Sequence, residues 1–306
     1  MLPGGDSPGA RWQDAAQLAL PDAVLLNIPG GPQVSAKVSA RSPRRPVAAV
    51  LPLLVTSGLL AGCTSTTSAG AGGSEIRLVS EGKLTVCTHL PYEPFQFKKS
   101  GKIVGFDVDV MDLVAEELKV EQKIVDTPWE GIQSGEDLNA NKCDAAAAGM
   151  TINDVRRKNL DFSAPYFDAT QALLVKKGAT YASLKDLKGR KLGVQASTTG
   201  EEYARKKAPD GVELVQFEDV GLLLTAVRTG QVDAGINDNG VLYDYVKGNP
   251  DTRVTAEFDT GEQYGLGVRK GNTALRKKID QVLKQARADG TYDRIHKKWF
   301  GKEPGK

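Results

Sequence analysis

Short apolar runs alternate with helical patterns from residue 83 onward, and this alternation constrains the fold more than any other feature of the chain. The runs at 84–88, 173–175 and 191–195 have the length and composition of buried strands. Apolar residues recur at helical spacing after Asp107 and again in the last forty or so residues of the chain. Strands that alternate with helices are typical of an α/β fold, which we therefore predict.

The same patterns predict further elements. Strands are expected at 144–148, 232–236 and 264–269, a helical turn at Leu184–Leu187 and a helix at 219–229. A long amphipathic helix near the end of the chain carries its apolar residues at Leu275, Ile279, Val282, Leu283 and Ala286.

Arg156 lies where a helix disfavours a cation. Asn153 is a suitable N-cap after a turn at Gly149 and Thr151, so Arg156 falls in the first helical turn. The helix dipole favours an anion at that end, and helical side chains lean towards the N-terminus. The guanidinium fork, the free backbone N–H groups and the Thr151 hydroxyl together suit a carboxylate. The alternative is a solvated arginine that tolerates its position.

The charge balance argues against a polyanionic partner. The chain has 40 Lys and Arg residues against 38 Asp and Glu residues, and residues 1–62 contain five of the basic and three of the acidic ones. The rest of the chain is therefore neutral in formal charge. We expect no nucleic-acid partner. With 306 residues, the chain is long enough for two lobes with cores of their own.

The first part of the chain resembles an export signal. A basic cluster at 37–45 precedes an apolar run at 47–61. The run is too short for a helix that spans a membrane, and it contains a proline. The run ends in Leu-Ala-Gly followed by Cys63, which resembles a bacterial lipobox and implies cleavage before Cys63 and lipidation of its thiol. An ordinary apolar helix with a buried cysteine is the alternative.

These features divide the first 75 residues into three segments. We predict a lipoprotein signal peptide at 34–62 and a lipid-anchored flexible linker at 63–75, which is rich in Ser, Thr and Gly. Residues 1–33 fit no targeting pattern, and we expect them to be a non-native or disordered extension. The predicted product is exported and held on the extracytoplasmic face of the cell membrane.

Two cysteines remain once Cys63 is lipidated. Cys87 lies in the predicted strand 84–88, and Cys143 lies at the start of the predicted strand 144–148. These strands would be neighbours in a doubly wound sheet, and an exported protein meets an oxidising compartment. We predict a disulfide between Cys87 and Cys143. Two separate buried thiols are the alternative.

Several motifs, in order along the chain, resemble the family 3 extracellular solute-binding proteins, the polar amino-acid receptors of ABC importers. They are the segments 91–95, 105–110, 145–166, 230–238 and 289–301. The resemblance covers about residues 83 to 301. It implies a two-lobed periplasmic-binding-protein-like fold, with two doubly wound sheets joined by a hinge of two crossings. Lobe 1 would comprise residues 76–170 and 265–306, and lobe 2 residues 171–264.

The family resemblance also implies a function. The chain would bind a polar amino acid between its closing lobes and deliver it to an ABC permease with its ATPase. It would act as a monomer, without a cofactor or a metal, and would not be an enzyme. Two alternatives are a cyclohexadienyl or arogenate dehydratase-like enzyme on the same fold, and a ligand sensor for a separate signalling partner. The chain has no G-x-S-x-G, H-E-x-x-H or P-loop motif that would favour an enzyme.

An amino-acid receptor needs a basic group, an acidic group and a shaped pocket. Arg156 would bind the α-carboxylate. By its match to the family motif, Asp238 would bind the ammonium, and it follows a predicted strand at the end where open α/β sheets hold their ligands. The hydroxyls and N–H groups of Thr198 and Thr199 would meet the same carboxylate from lobe 2, and Tyr92 and Trp129 match positions where the family places aromatic residues over the ligand. Asp238, Thr198 and Thr199 could instead be helix caps, and the two aromatic residues could be core. The predicted ligand-binding residues are Arg156, Asp238, Thr151, Gly149, Thr198, Thr199, Tyr92, Trp129 and Gln195.

The side chain of the ligand is the least constrained part of the prediction. His89 stands where relatives that bind lysine, arginine or histidine tend to carry an acid, which argues against a cationic ligand. Gln195 lies at the edge of lobe 2 and could bond an amide or a carboxylate. Glutamine or glutamate is therefore the favoured ligand.

Overall fold

The structure, a computed structural model, describes residues 76–304. The predicted extension at 1–33, signal peptide at 34–62, linker at 63–75 and lipidation site Cys63 lie outside these residues. Within the described part of the chain, no helix has the length and apolar character needed to cross a membrane.

Strands and helices are numbered in chain order. The strands are β1 (Lys83–Thr88), β2 (Phe97–Lys99), β3 (Lys102–Val104), β4 (Glu121–Asp126), β5 (Ala145–Ala146), β6 (Leu160–Phe162), β7 (Phe167–Lys176), β8 (Lys191–Gln195), β9 (Glu213–Phe217), β10 (Ala234–Asp238), β11 (Thr252–Tyr264) and β12 (Gly267–Arg269). The helices are α1 (Phe106–Leu118), α2 (Trp129–Gln133), α3 (Glu136–Asn139), α4 (Asp154–Arg157), α5 (Thr199–Lys207), α6 (Val220–Thr229), α7 (Asn239–Gly248), α8 (Thr273–Ala288) and α9 (Thr291–Phe300), and a 3-10 turn spans Leu184–Leu187.

Each of two five-stranded sheets forms the centre of one lobe. The first sheet has the order β4-β1-β5-β12-β6, in which β1 runs parallel to β4 and β5, and β12 runs antiparallel to β5 and β6. The second sheet has the order β11-β7-β10-β8-β9, in which β8 runs parallel to β9 and β10. Helices α1, α8 and α9 pack together on the first lobe, and α5, α6 and α7 pack on the second sheet. The predicted α/β class with two sheets is confirmed.

Two crossings of the chain join the lobes. The chain passes from the first sheet to the second between β6 and β7, and it returns between β11 and β12. The backbone N–H of Tyr166 in the first crossing donates to the carbonyl of Tyr264 in the second, at 2.9 Å. The lobe boundary predicted after residue 170 falls inside β7, whereas the one predicted after residue 264 coincides with the end of β11.

One predicted strand is wrong. The sequence pattern predicts a single strand at 264–269, but β11 ends at Tyr264 and β12 begins at Gly267, in the other sheet. Both halves are buried, so their apolar character does not reveal that the chain changes lobes between them. The strand predicted at 232–236 is shifted, since β10 extends to Asp238.

The helix and cysteine patterns led to more accurate predictions. All five apolar residues of the predicted amphipathic helix are buried in α8, and α6 follows an Asp219 N-cap and ends before Gly230. Cys87 and Cys143 form a disulfide, with their Cα atoms 5.6 Å apart. This bond joins β1 to the segment that leads into β5, in the interior of the first lobe.

Candidate functional site

A cavity lies between the two lobes. Its walls come from the loops after β1, β4 and β5 on the first lobe and from the ends of β8 and β10 on the second. All nine residues predicted to bind the ligand line it, together with His89, Gln96 and Ala148. The structure therefore brings the predicted residues together around one space, and their roles in binding stay a prediction.

Arg156 enters the cavity from the short helix α4. Asn153 caps this helix as predicted, because its side chain accepts a hydrogen bond from the Arg156 backbone N–H at 2.8 Å. The Arg156 side chain is 4% exposed. Its guanidinium donates to the carbonyls of Thr151 at 2.8 Å and Ser197 at 3.4 Å, and lies 4.9 Å from the centre of the Trp129 ring.

In the part of the chain that the structure describes, no carboxylate neutralises the charge of Arg156. Within residues 76–304, no carboxylate oxygen forms an ion pair with its guanidinium, and its partners are neutral carbonyls. Burial lowers the pKa of Arg156, and the more distant charges of Asp238, Glu202 and Glu262 oppose this shift. A desolvated guanidinium that lacks an ion-pair partner suits an incoming anion.

Asp238 faces the same cavity from the second lobe. It occupies the N-cap position of α7, but its side chain does not bond the helix. The carboxylate instead accepts hydrogen bonds from the hydroxyls of Tyr92, at 2.7 Å, and Tyr264, and from the amide of Gln171. The interpretation of Asp238 as a simple helix cap is therefore wrong, although the residue stands where a cap would.

The surroundings of Asp238 shift its titration. Burial, followed by the negative charge of Glu262, raises the pKa of Asp238 to about 6, and the hydrogen bonds from the two tyrosines and Gln171 oppose this shift. A cation that entered the cavity would favour the charged carboxylate and lower its pKa again.

Glu262 lies beside the site and was not predicted from the sequence. It lies on β11, where its Oε2 accepts hydrogen bonds from the hydroxyls of Thr151 and Thr199, each at 2.7 Å. Its Oε1 accepts from the Gln171 amide at 3.0 Å. A hydroxyl has one hydrogen, so a threonine that donates to Glu262 can offer the cavity only its lone pairs. In this arrangement Thr151 and Thr199 suit an ammonium through their hydroxyls, not the predicted carboxylate.

Thr198 acts as a helix cap at the edge of the cavity. Its hydroxyl oxygen accepts from the backbone N–H of Glu201 at 3.2 Å and donates to the carbonyl of Gln195 at 2.7 Å. Helix α5 follows directly, so the free backbone N–H groups of its first turn lie beside the cavity. These groups, and not the threonine hydroxyls, are donors that the start of α5 can offer an anion.

Gly149 and the aromatic residues shape the cavity. Gly149 has a φ of +54°, and a Cβ atom there would lie 2.7 Å from the Tyr92 ring. Its backbone N–H donates to Asp107 at 2.8 Å, and this carboxylate also accepts from the Tyr166 hydroxyl at 2.6 Å. Burial raises the pKa of Asp107 to about 7. Asp107, which the sequence analysis noted only as a helix start, thus holds the turn that supports the cavity wall.

The indole of Trp129 joins the lobes at the edge of the cavity. Its Nε1–H donates to the carbonyl of Ser197 at 3.0 Å. Pro91 of the first lobe also lies close to Gly221 of the second, because a Cβ atom at Gly221 would approach the proline ring to 3.1 Å. The lobes are therefore closed over the cavity.

His89 and Gln96 complete the wall formed by the loop after β1. His89 was used to predict the charge of the ligand but was not among the predicted ligand-binding residues. Gln96 was not predicted at all. The signal for Gln96 was its place directly after the segment 91–95, whose turn it closes through backbone bonds to Tyr92.

Comparison with known proteins gives a consistent result. The family "Bacterial extracellular solute-binding proteins, family 3" matches residues 84–302. The ABC transporter glutamine-binding protein GlnH of Bacillus subtilis is 38% identical over 213 residues, which cover 67% of this chain and 76% of that protein. The L-cystine-binding protein TcyJ of Escherichia coli (strain K12) is 34% identical over 229 residues, 74% of this chain and 85% of the relative.

A solved structure extends the similarity to the fold. An ancestral arginine-binding protein bound to glutamine superimposes with a TM-score of 0.69 at 42% identity, covering 73% of this chain and 100% of the other. The ligands named for these proteins differ from one another, so the similarity alone does not identify a ligand for this chain.

Proposed function

Because this chain belongs to family 3 of the bacterial extracellular solute-binding proteins, we propose that it is an extracytoplasmic receptor for a polar amino acid, with glutamine or glutamate favoured. The predicted family and two-lobed fold are confirmed. Its relatives are binding proteins of transporters and not enzymes, as expected for this chain.

One observation carries the proposal. A buried cation on one lobe and a buried carboxylate on the other face a single closed cavity, and they match the two charges of an α-amino acid. Arg156 binds the α-carboxylate, assisted by the backbone N–H groups at the start of α5. Asp238 binds the ammonium, assisted by the Thr151 hydroxyl oxygen. A ligand held from both lobes stabilises the closed state over the open one.

The preference for glutamine or glutamate rests on the other cavity residues. Gln195 is 3% exposed and lines the cavity from the second lobe. Asp238 is the one carboxylate among the described lining residues, and it is needed for the ammonium. A cationic side chain would therefore lack a counterion of its own.

The receptor delivers its ligand to an ABC permease, whose ATPase drives transport. Capture and closure are the work of this chain, and ATP chemistry belongs to its partners. A lipid on Cys63 and the linker 63–75 hold the receptor at the membrane surface. Mass spectrometry of the protein from its native membrane tests this anchor. The expected N-terminus is a lipid-modified Cys63, and peptides from residues 1–33 would contradict the predicted start.

A thermal-shift screen against the twenty amino acids tests the receptor function. A ligand that binds only the folded state at about 100 times its Kd stabilises that state by about 2.7 kcal/mol, which raises the Tm of a chain of this size by about 5–10 °C. Glutamine or glutamate should give the largest shift. If no amino acid shifts the Tm, the receptor function is wrong.

A further inference from the structure

Two buried acceptor atoms in the cavity wall lack a donor. The Nε2 atom of His89 and the Oε1 atom of Gln96 are inaccessible to solvent and have no hydrogen-bond partner among the described residues. Both residues line the cavity, and the Gln96 side chain is 1% exposed. Buried polar atoms of folded proteins are nearly always hydrogen-bonded, so two such orphans in one wall point to a missing donor.

Backbone carbonyls determine the chemical character of both atoms. The Nδ1 atom of His89 lies 3.0 Å from the carbonyl of Thr127, which can only accept, so Nδ1 carries the hydrogen and Nε2 of the neutral ring is an acceptor. The Nε2 atom of Gln96 donates to the carbonyl of His89 at 3.3 Å, which leaves its Oε1 as an acceptor. Neither orientation depends on another side chain.

The opposite lobe supplies a potential donor to the same cavity. Gln195 lines the cavity, and its Oε1 lies 3.5 Å from the Asn237 amide nitrogen. Its own amide nitrogen has no acceptor within residues 76–304. Apart from Asp238, the described lining residues include no carboxylate that would neutralise a cationic side chain.

From these atoms we infer that the side chain of the ligand ends in a primary carboxamide, which favours glutamine over glutamate as the ligand. The inference rests on the proposed amino-acid receptor function. The carboxamide NH2 group donates to His89 Nε2 and Gln96 Oε1, and its oxygen accepts from Gln195. A glutamate carboxylate offers no hydrogen to these acceptors and would place its charge against their lone pairs.

Calorimetry with matched ligands tests the inference. The protein is first freed of bound amino acid by unfolding and refolding, and is then titrated with L-glutamine, L-glutamate, L-arginine and the 5-methyl ester of L-glutamate. The ester is close to glutamine in size, is neutral at its end and has no N–H donor there. Since it leaves two buried acceptors unpaired, we expect glutamine to bind about 10- to 100-fold more tightly than the ester.

The outcomes separate the inference from the proposed function. Equal affinity for the ester, or tighter binding of glutamate or arginine, overturns the carboxamide inference and leaves the receptor function standing. If none of the twenty amino acids binds, both are wrong.

A pair of variants locates the preference. Gln96→Met keeps the length of the side chain and removes its acceptor, so the preference for glutamine over the ester should fall by about tenfold. Gln122→Met is the matched control, because Gln122 Oε1 is also buried without a partner but lies outside the cavity. In Gln122→Met the ratio of the affinities for glutamine and the ester should equal that of the unaltered protein. An unchanged preference in Gln96→Met contradicts the role of Gln96. If that variant does not fold, the comparison of glutamine with the ester on the unaltered protein still decides the inference.

Discussion

The two walls of the cavity hold charges of opposite sign in opposite ways. On the first lobe, Arg156 donates to the backbone carbonyls of Thr151 and, on the opposite lobe, Ser197, which satisfy two of its five N–H groups and do not neutralise it. On the second lobe, Asp238 accepts from two tyrosine hydroxyls and an amide, which stabilise its negative charge. Under the proposed function, Arg156 therefore takes its counter-charge from the ligand, whereas Asp238 already has hydrogen-bond partners within the protein.

The supports of the two walls also differ. The Cys87–Cys143 disulfide stabilises the first wall. The buried carboxylate of Asp107 also supports it, because it accepts a hydrogen bond from the backbone N–H of Gly149. The second wall is supported by hydrogen bonds that reach into the hinge, above all those of Glu262 on β11. Because Tyr92 of the first wall also bonds Asp238 of the second, the carboxylate site is complete only when the lobes are together.

Removing the charge of the first wall should have the largest effect. Arg156→Ala leaves the α-carboxylate of the ligand buried without its cation, which should cost roughly 2–5 kcal/mol and abolish detectable binding by calorimetry. Arg157→Ala is the control, because Arg157 lies on the same short helix but is exposed. Near-native affinity in Arg156→Ala would show that the first wall does not bind the α-carboxylate of the ligand.

Removing the charge of the second wall should have a smaller effect. Asp238→Asn keeps an oxygen that can accept from the tyrosines but loses the attraction for the ammonium, so we expect a loss of about 2–3 kcal/mol in binding. Asp144→Asn is a control for neutralising a buried carboxylate, because Asp144 is 5% exposed and lies outside the cavity. If Asp238→Asn weakens binding more than Arg156→Ala does, the second wall contributes more binding free energy than the first.

The sequence predicts the members of the site better than their hydrogen bonds. Arg156 could be predicted from a local pattern, an N-cap followed by a short helix. Asp238 was predicted from its match to the family motif, and its place at the end of β10 agrees with that prediction. The link from Thr151 to Glu262 spans 111 residues and depends on how β11 enters the hinge. No local pattern contains that information, so the direction in which the hydroxyls donate could not be predicted.

The same distinction applies to the fold. Strand β8 follows from the length and composition of its apolar run and helix α8 from its periodicity, because each buries its residues inside a single lobe. The break between β11 and β12 does not, since the residues on both sides of it are equally buried and only the partner strands differ. Gln96 could not be predicted for a related reason. That its Oε1 atom is a buried acceptor without a donor becomes visible only in the folded cavity.

Acidification should weaken binding through the second wall, because the pKa of Asp238 is raised to about 6. The ligand ammonium favours the charged carboxylate, so binding at lower pH must displace a proton. Affinity should be constant above about pH 7 and fall below pH 6, by up to about tenfold, or 1.4 kcal/mol, per pH unit. Calorimetry in buffers of different ionisation enthalpy measures the proton release. Asp238→Asn should lose this dependence, and equal slopes in both proteins would assign it to another group.

The smallest expected effect belongs to the contact between the walls. Trp129→Phe keeps an aromatic ring beside Arg156 but removes the N–H that donates to the Ser197 carbonyl. Loss of one neutral hydrogen bond should weaken binding by about 1 kcal/mol, roughly fivefold, because the closed state loses a link that the open state does not have. Trp299→Phe is the matched control, since its Nε1–H bonds Asp109 outside the cavity, and it should leave the affinity unchanged. Equal affinities in the two variants would mean that this bond forms in the open state as well, so that closure depends on the ligand and the two charges alone.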